Sequence, residues 1–507
     1  MALKIIMLVA FFAVMIGVGF YCRKEAQNVD GFVLGGRKVG PWLTAFAYGT
    51  SYFSAVVFVG YAGQFGWKYG IASTWAGIGN AVIGSLLAWI ILGKRTRIMS
   101  HTLNSSTMPD FFGKRFDAKS LKIGASIITF VFLIPYTASL YNGLSRLFGM
   151  AFNIDYTICV IIMAVLTGVY VIAGGYMATA INDFIQGIVM LGGIVAVIIA
   201  VINGKGGFAS AFAQMAQVSD PSVGAEQGAF ASIFGPDPIG LLGVVILTSL
   251  GTWGLPQMVQ KFYAIKDESA IKKGTIISTI FALIVAGGCY FLGGFGRLFA
   301  DQIDLKAGGY DSIIPAMLSG LPDILIGIVV ILVLSASMST LSSLVLTSSS
   351  TITIDLVNEA KKKKMSDKSQ VLLMRVLIVV FIALSVIIAI VQYKSNVTFI
   401  AQLMGISWGA LAGAFLAPFL YSLFWKGTTK VACWVNFVFS VAFMLIDLFG
   451  NLTGAQILPV FLRSPINAGA FCMLAGFVIV PIVSAFTKKP SAGITEFAFS
   501  DIGKKNK

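Results

Sequence analysis

The chain has 507 residues, a formal charge of +15, 57% apolar residues and only 11% charged ones, with 55 glycines besides. Soluble domains carry about 45–50% apolar residues, glycine included, and about 25% charged ones, so a mean hydropathy of +0.89 leaves too little polar cover for a water-soluble surface. A soluble enzyme, a disordered chain, a fibrous protein and a disulfide scaffold are excluded, as is a membrane β-barrel with its alternating strands; an all-α polytopic membrane protein remains.

In chain order, thirteen segments reach the ~20 mostly apolar residues that a bilayer-spanning helix needs: 3–22, 41–65, 70–93, 123–146, 156–175, 181–202, 239–260, 275–297, 323–355, 372–392, 398–424, 431–449 and 467–487. The first reads as a span and not a signal peptide, because it lacks a small-x-small cleavage site and runs directly into Arg23 and Lys24. With the N-terminus placed outside, 28 of the 36 Lys and Arg fall in inner loops and 8 in outer ones. The positive-inside rule then predicts a multi-pass protein of the plasma membrane with the N-terminus outside and the C-terminus cytoplasmic. The +15 is thereby a topology signal in the lipid bilayer, and no nucleic-acid partner is expected. The longest loop, 203–238, is too short for a soluble domain, so residues 1–487 form a single transmembrane domain followed by a cytoplasmic tail, 488–507. No GxxxxGK[ST] run is present, so no nucleotide partner is expected and the protein is not an enzyme that burns ATP. The five cysteines, Cys22, Cys159, Cys289, Cys433 and Cys472, lie in or beside apolar runs without CxxC spacing and read as small buried hydrophobes.

A charge inside the bilayer is expensive, so an acid there is a functional candidate. Asp183 opens the sixth segment, Asp355 ends the ninth and Asp447 lies near the outer end of the twelfth. The sole histidine, His101, falls in an inner loop, so a histidine proton relay has no members. A cation other than H+, held by carbonyl and hydroxyl oxygens, fits better, and discontinuous membrane helices expose such carbonyls. Two segments have that composition. The second places Gly49, Thr50, Ser51 and Ser54 at its middle, and the seventh places Gly251, Gly254 and Pro256 within six residues, which disrupts i→i−4 bonding. They lie five spans apart and so run in opposite directions, the pointer to an inverted-repeat transporter with its site at the midplane. In the ninth segment 12 of the 19 residues from Ser335 to Thr353 are Ser or Thr. Ala336, Ser339 and Thr340 share one face at i, i+3 and i+4, where they can complete a five-oxygen cage with carbonyls of the broken second span.

At these residues the sequence resembles the sodium:solute symporter family, including its bacterial sodium/proline and sodium/pantothenate-type members. The resemblance is carried in order by Gly35-Gly-Arg-Lys-Val-Gly-Pro-Trp42, Thr107-Met-Pro-Asp-Phe-Phe-Gly-Lys-Arg-Phe116, Ala173-Gly-Gly-Tyr-Met-Ala178 with Asn182-Asp-Phe-Ile-Gln186, and Ala336-Ser-Met-Ser-Thr-Leu-Ser342. It implies the leucine-transporter-type five-plus-five inverted repeat with discontinuous helices, the halves being about 41–202 and 239–424. It implies Na+ as coupling ion, held by the carbonyls of Thr50, Phe53 and Ala336 and the hydroxyls of Ser339 and Thr340, with Asp183 on the ion's inner exit. It also implies a small organic solute between the two breaks, walled by Ser51, Tyr52, Ala55, Tyr136, Thr252, Trp253, Pro256 and Gln257. Proline-type members carry an acid where Tyr52 stands and an aromatic where Thr252 stands, so the expected class is a small carboxylate-bearing solute: an amino acid such as proline, a monocarboxylate or a pantothenate-like acid. The rival readings are a proton-coupled carrier, a sugar or sialic-acid symporter, and a channel or sensor on the same scaffold.

Overall fold

Glycine and proline decide where this chain of long apolar helices breaks. The computed structural model describes residues 2–152, 154–361, 363–395, 400–455 and 457–502. The start of the segment predicted at 398 and the tail lysines Lys504, Lys505 and Lys507 lie outside the described residues, and so does the Tyr52 side chain.

The main helices are α1 (Ala2–Tyr21), α2 (Pro41–Tyr52), α3 (Val56–Thr102), α4 (Met108–Phe116), α5 (Lys119–Phe152), α6 (Tyr156–Asn203), α7 (Pro238–Gly254), α8 (Pro256–Ala264), α9 (Glu268–Gly293), α10 (Asp323–Ala360), α11 (Asp367–Ser395), α12 (Ile400–Phe424), α13 (Lys430–Thr453), α14 (Pro465–Phe486) and α15 (Ala492–Phe499). Among the described residues ten helices are long and apolar enough to cross a membrane, or up to eleven if α7 and α8, bent by 46°, count as one span.

This count is lower than the thirteen predicted segments because two of the helical stretches each hold two segments joined at a turn. α3 takes in the end of the second segment and all of the third, while α6 takes in the fifth and sixth. In both, one glycine replaces a loop. Gly70 (φ 61°, ψ −142°) and Gly175 (φ 55°, ψ −145°) adopt a conformation nearly closed to other residues. At Gly175 the chain turns back along α1. Before the turn Gly174 lies against Gly19, near the end of α1, and after it Asn182 and Gln186 reach back to Met15.

Both discontinuities fall where the composition placed them. α2 ends at Phe53, extended at φ −87°, ψ 119°. The Ser54 hydroxyl then accepts from the Val56 N–H at 3.2 Å, starting the second half. α7 ends at Leu255, extended at φ −82°, ψ 123° because a residue before proline is pushed out of the helical region. Pro256 restarts the helix at its first position, where no N–H is needed.

The predicted inner loops share one face. Arg97 reaches the carbonyls of Ile265 and Lys266, Lys122 pairs with Glu359, Arg375 reaches Ala26, Arg95 reaches Leu423, and Arg115 lies over Phe499 of α15. On the opposite face Lys4 pairs with Asp323, Arg297 pairs with Asp220, and Lys68 lies over the Tyr310 ring. These are called the basic face and the far face below.

Candidate ion and solute site

A helix that stops leaves its last four carbonyls without intrahelical partners. Where α2 stops, two of the freed carbonyls meet α10. Ser339 Oγ lies 3.0 Å from the Thr50 carbonyl oxygen and 3.1 Å from that of Ala336. Thr340 Oγ1 lies 3.2 Å from Thr50 O, 3.3 Å from Phe53 O and 3.1 Å from Ala336 O. All five are buried. Across the break, Ser337 Oγ accepts from the Ala55 N–H at 3.3 Å, tying the restarted helix to α10 as well.

Five oxygens thus face one another with two hydroxyl protons between them, which leaves lone pairs opposed in a buried space. A hard cation relieves this. Ca2+, an ion of nearly the size of Na+, takes oxygens at about 2.3–2.6 Å, so ligands at right angles stand about 3.3–3.7 Å apart. The observed separations need only a slight expansion to reach that spacing. The donor set is neutral oxygen throughout, chemistry suited to Na+ and unsuited to a soft metal.

The proposed solute wall divides. Tyr136 and Gln257 are buried and, among the described residues, keep polar atoms without hydrogen-bond partners: the Tyr136 hydroxyl and both amide atoms of Gln257. Pro256 sits at the second break, and Ala55 packs its Cβ against Gly143 on α5. Three others turn elsewhere. Thr252 Oγ1 lies 3.1 Å from the carbonyl of Gly84 and 2.9 Å from that of Ser249, and Trp253 donates to Ile83 O at 2.9 Å, so both side chains serve the contact between α7 and α3. Ser51 donates to Ala47 O at 2.5 Å and lies 2.9 Å from Ser343 Oγ, facing α10.

Two residues that the sequence reading did not single out stand at this centre. Trp408 on α12 meets Tyr136 edge-on with ring centroids 5.9 Å apart, and its indole N–H has no hydrogen-bond partner among the described residues. Any side chain at Gly251 would run into the Trp408 ring, so that glycine of α7 makes room for the indole. The Tyr136 hydroxyl stands near Ser54 and the Trp408 nitrogen without aligning on either, so Tyr136 and Trp408 bridge the two breaks. Lys261 on α8 is 2% exposed, although a count of charges by loop assigns it to solvent. Its Nζ lies 3.9 Å from the fully buried Asp183 and 3.0 Å from Ser343 Oγ, to which it donates. The apolar neighbours Met258, Val259, Phe262 and Tyr263 were the available sign that this lysine is inside.

Set beside known proteins, residues 32–436 match the family model described as the sodium:solute symporter family. The osmoregulated proline transporter OpuE of Bacillus subtilis (strain 168) is 29% identical over 495 residues, covering 96% of this chain and 95% of that protein. The sodium/proline symporter of Staphylococcus aureus (strain JH9) is 28% identical over 513 residues, covering 98% and 95%. Among solved structures, a Na+-coupled sialic acid symporter in a substrate-bound outward-open state gives a TM-score of 0.73 at 18% identity, covering 96% of this chain and 98% of that one. A nucleobase-cation-symport-1 family transporter in a closed conformation with bromovinylhydantoin bound gives 0.50 at 14% identity, covering 92% and 97%. These likenesses show the fold, an all-α membrane transporter of leucine-transporter type.

Proposed function

The chain belongs to the sodium:solute symporter family, with Na+ as its coupling ion, and from that premise we propose that it imports a small carboxylate-bearing solute, a proline-type amino acid before others. The ion is held by Thr50, Phe53, Ala336, Ser339 and Thr340. What carries this reading is the convergence of five buried oxygens sharing two protons at the α2 break. The basic face is the cytoplasmic one, on the positive-inside rule.

The solute reading is supported by the unpartnered polar groups between the breaks. Trp408 Nε1, the Tyr136 hydroxyl and the Gln257 amide supply hydrogen-bond donors. A carboxylate accepts from several donors at once. An unmet buried donor costs about 1–3 kcal/mol, a penalty that a bound carboxylate removes. Proline transport by two relatives of about this length agrees with the same class.

The test is uptake into proteoliposomes under an imposed Na+ gradient, and separately under an imposed pH gradient, across a panel of proline, other amino acids, monocarboxylates, pantothenate, sialic acid and glucose. Na+-driven uptake of one carboxylate-bearing solute is expected. Uptake driven by the pH gradient alone, or of glucose in preference to every acid, overturns the proposal.

A further inference from the structure

We propose that Lys261 is a tethered cation that bolts the cytoplasmic end of the ion route, and that Na+ leaves the cage only after this ammonium lets go of Asp183 and Ser343. The proposal rests on reading the five-oxygen cluster as the Na+ cage.

Lys261 and the cage share two backbones. Ser343, which accepts from Lys261 Nζ at 3.0 Å, is one helical turn along α10 from Ser339. The same Ser343 hydroxyl lies 2.9 Å from Ser51 Oγ, and Ser51 follows Thr50, whose carbonyl faces both cage hydroxyls. An ion displaced from the cage along α10 towards the basic face therefore meets Ser343 and then the Asp183 carboxylate.

That carboxylate is already engaged. Asp183 is fully buried, its oxygens have no hydrogen-bond partner among the described residues, and its counter-charge is Lys261 at 3.9 Å, itself lying 5.1 Å over the Tyr176 ring. A buried charge is tolerated only when paired, so a single acid here serves one cation at a time. While the ammonium is in place, the route past Ser343 is filled and carries no net pull on Na+. When it withdraws, Asp183 is left to draw the ion out.

α8 is built to make that withdrawal a gating event. The residue before the lysine, Gln260, donates to Val33 O at 2.9 Å and accepts from Thr347 Oγ1 at 2.8 Å. Val39 N–H donates to Ala264 O at 3.2 Å, and Lys266 N–H donates back to Val39 O at 3.1 Å. These bonds stitch α8 to the segment ahead of α2 and to α10. α8 is also the short half of a span bent by 46° at Leu255, the hinge about which it swings once those bonds release. Opening the basic face and removing the ammonium from Asp183 are then one movement.

The experiment uses the full chain in proteoliposomes and reads efflux of radiolabelled Na+ with no solute present. Lys261→Gln should raise this leak roughly tenfold or more, equivalent to about 1.4 kcal/mol off the exit barrier, and Lys261→Arg should hold it near wild type. Lys261→Gln leaves Asp183 unpaired and can fail to fold, so the double variant Asp183→Asn/Lys261→Gln, which buries no charge, is measured alongside. A leak in the double variant above that of Asp183→Asn alone supports the bolt. A double variant no leakier than Asp183→Asn alone, which has lost the same pull on Na+, overturns it and leaves Lys261 as charge compensation for Asp183. The cage reading stands or falls separately, on the Na+ dependence of uptake in Ser339→Ala and Thr340→Val.

Discussion

Thr340→Val removes one oxygen from the proposed cage and keeps the shape of the side chain. Thr340 Oγ1 is within 3.1–3.3 Å of three of the other four oxygens, so it sits at the centre of the cluster, whereas Ser339 Oγ touches two. An oxygen bound to a charged partner contributes about 1.5–3 kcal/mol, and 1.4 kcal/mol is a factor of ten. The Na+ concentration for half-maximal uptake is therefore expected to rise roughly 10- to 100-fold in Thr340→Val, with Ser339→Ala towards the lower end. Loss of the hydroxyl proton also leaves carbonyls less satisfied, a stability cost of about 0.5–1.5 kcal/mol per bond, small enough for the variants to fold. At saturating Na+ the solute KM should move far less than the Na+ requirement, because neither hydroxyl faces the Tyr136–Trp408 side. The assay is initial uptake against external Na+ at a clamped membrane potential. Unchanged Na+ dependence in both variants refutes the cage.

Trp408→Phe keeps the ring and removes the N–H, so solute KM should rise about tenfold or more, the cost of one bond to a carboxylate, with the Na+ requirement unaltered; uptake titrations against solute and against Na+ check this. Gly70→Ala forces a side chain into a glycine-only conformation against the Phe230 backbone, and a loss of about 1–3 kcal/mol should appear as a lower melting temperature in detergent. Burial pushes the Asp311 carboxyl up to about 6, against the pull of Arg146 at 3.9 Å and the Ile400 N–H. The folded state then holds an extra proton between pH about 4 and 6, so stability falls as pH rises through that window and stays lower above it. Asp311→Asn should flatten this dependence and raise stability at neutral pH by on the order of 1–3 kcal/mol, read as melting temperature against pH.

The parts of the fold and site that were legible are those with a local cause. Pro256 and its glycines announce a break, and Ala336, Ser339 and Thr340 announce a shared face because the helical period alone sets it. The division into thirteen segments sets boundaries beside Gly70 and Gly175, yet the turns there have no polar loop, so two pairs of segments run on as single long helical stretches. Lys261 was hidden for the opposite reason. Charge counted by loop treats every lysine at the end of an apolar run as solvated, and only the fold brings Asp183, distant in sequence, to meet it. Ser51, Thr252 and Trp253 were placed in the solute wall by the family resemblance. Which way each side chain points depends on the phase of α2 against α10 and of α7 against α3, a packing outcome that no single segment records. Trp408 carries no signature, since an aromatic in an apolar span is ordinarily lipid-facing or core.

On the proposed reading the α2 break serves both ligands: Thr50 and Phe53 would face the ion, while Ser54 stands beside Tyr136. Binding of either ligand orders the same unwound residues, so linkage requires Na+ to tighten solute by the factor with which solute tightens Na+. One Na+ entering down ~100 mV releases about 2.3 kcal/mol, and a tenfold concentration gradient adds about 1.4 kcal/mol. Their sum, about 3.7 kcal/mol, supports roughly 500-fold accumulation of solute per ion. A binding coupling of about 1–3 kcal/mol discriminates loaded from half-loaded states by only 5- to 150-fold. If that were the only safeguard, ions slipping through without solute would dissipate the gradient before the limit was reached. Accumulation near the limit thus demands a second check on the ion's way out, placed below the shared break and released by a different element. The buried ammonium on α8 fits both conditions, because it is held by Ser343, one turn beyond the cage on α10, and would move with the half-helix proposed to close the basic face.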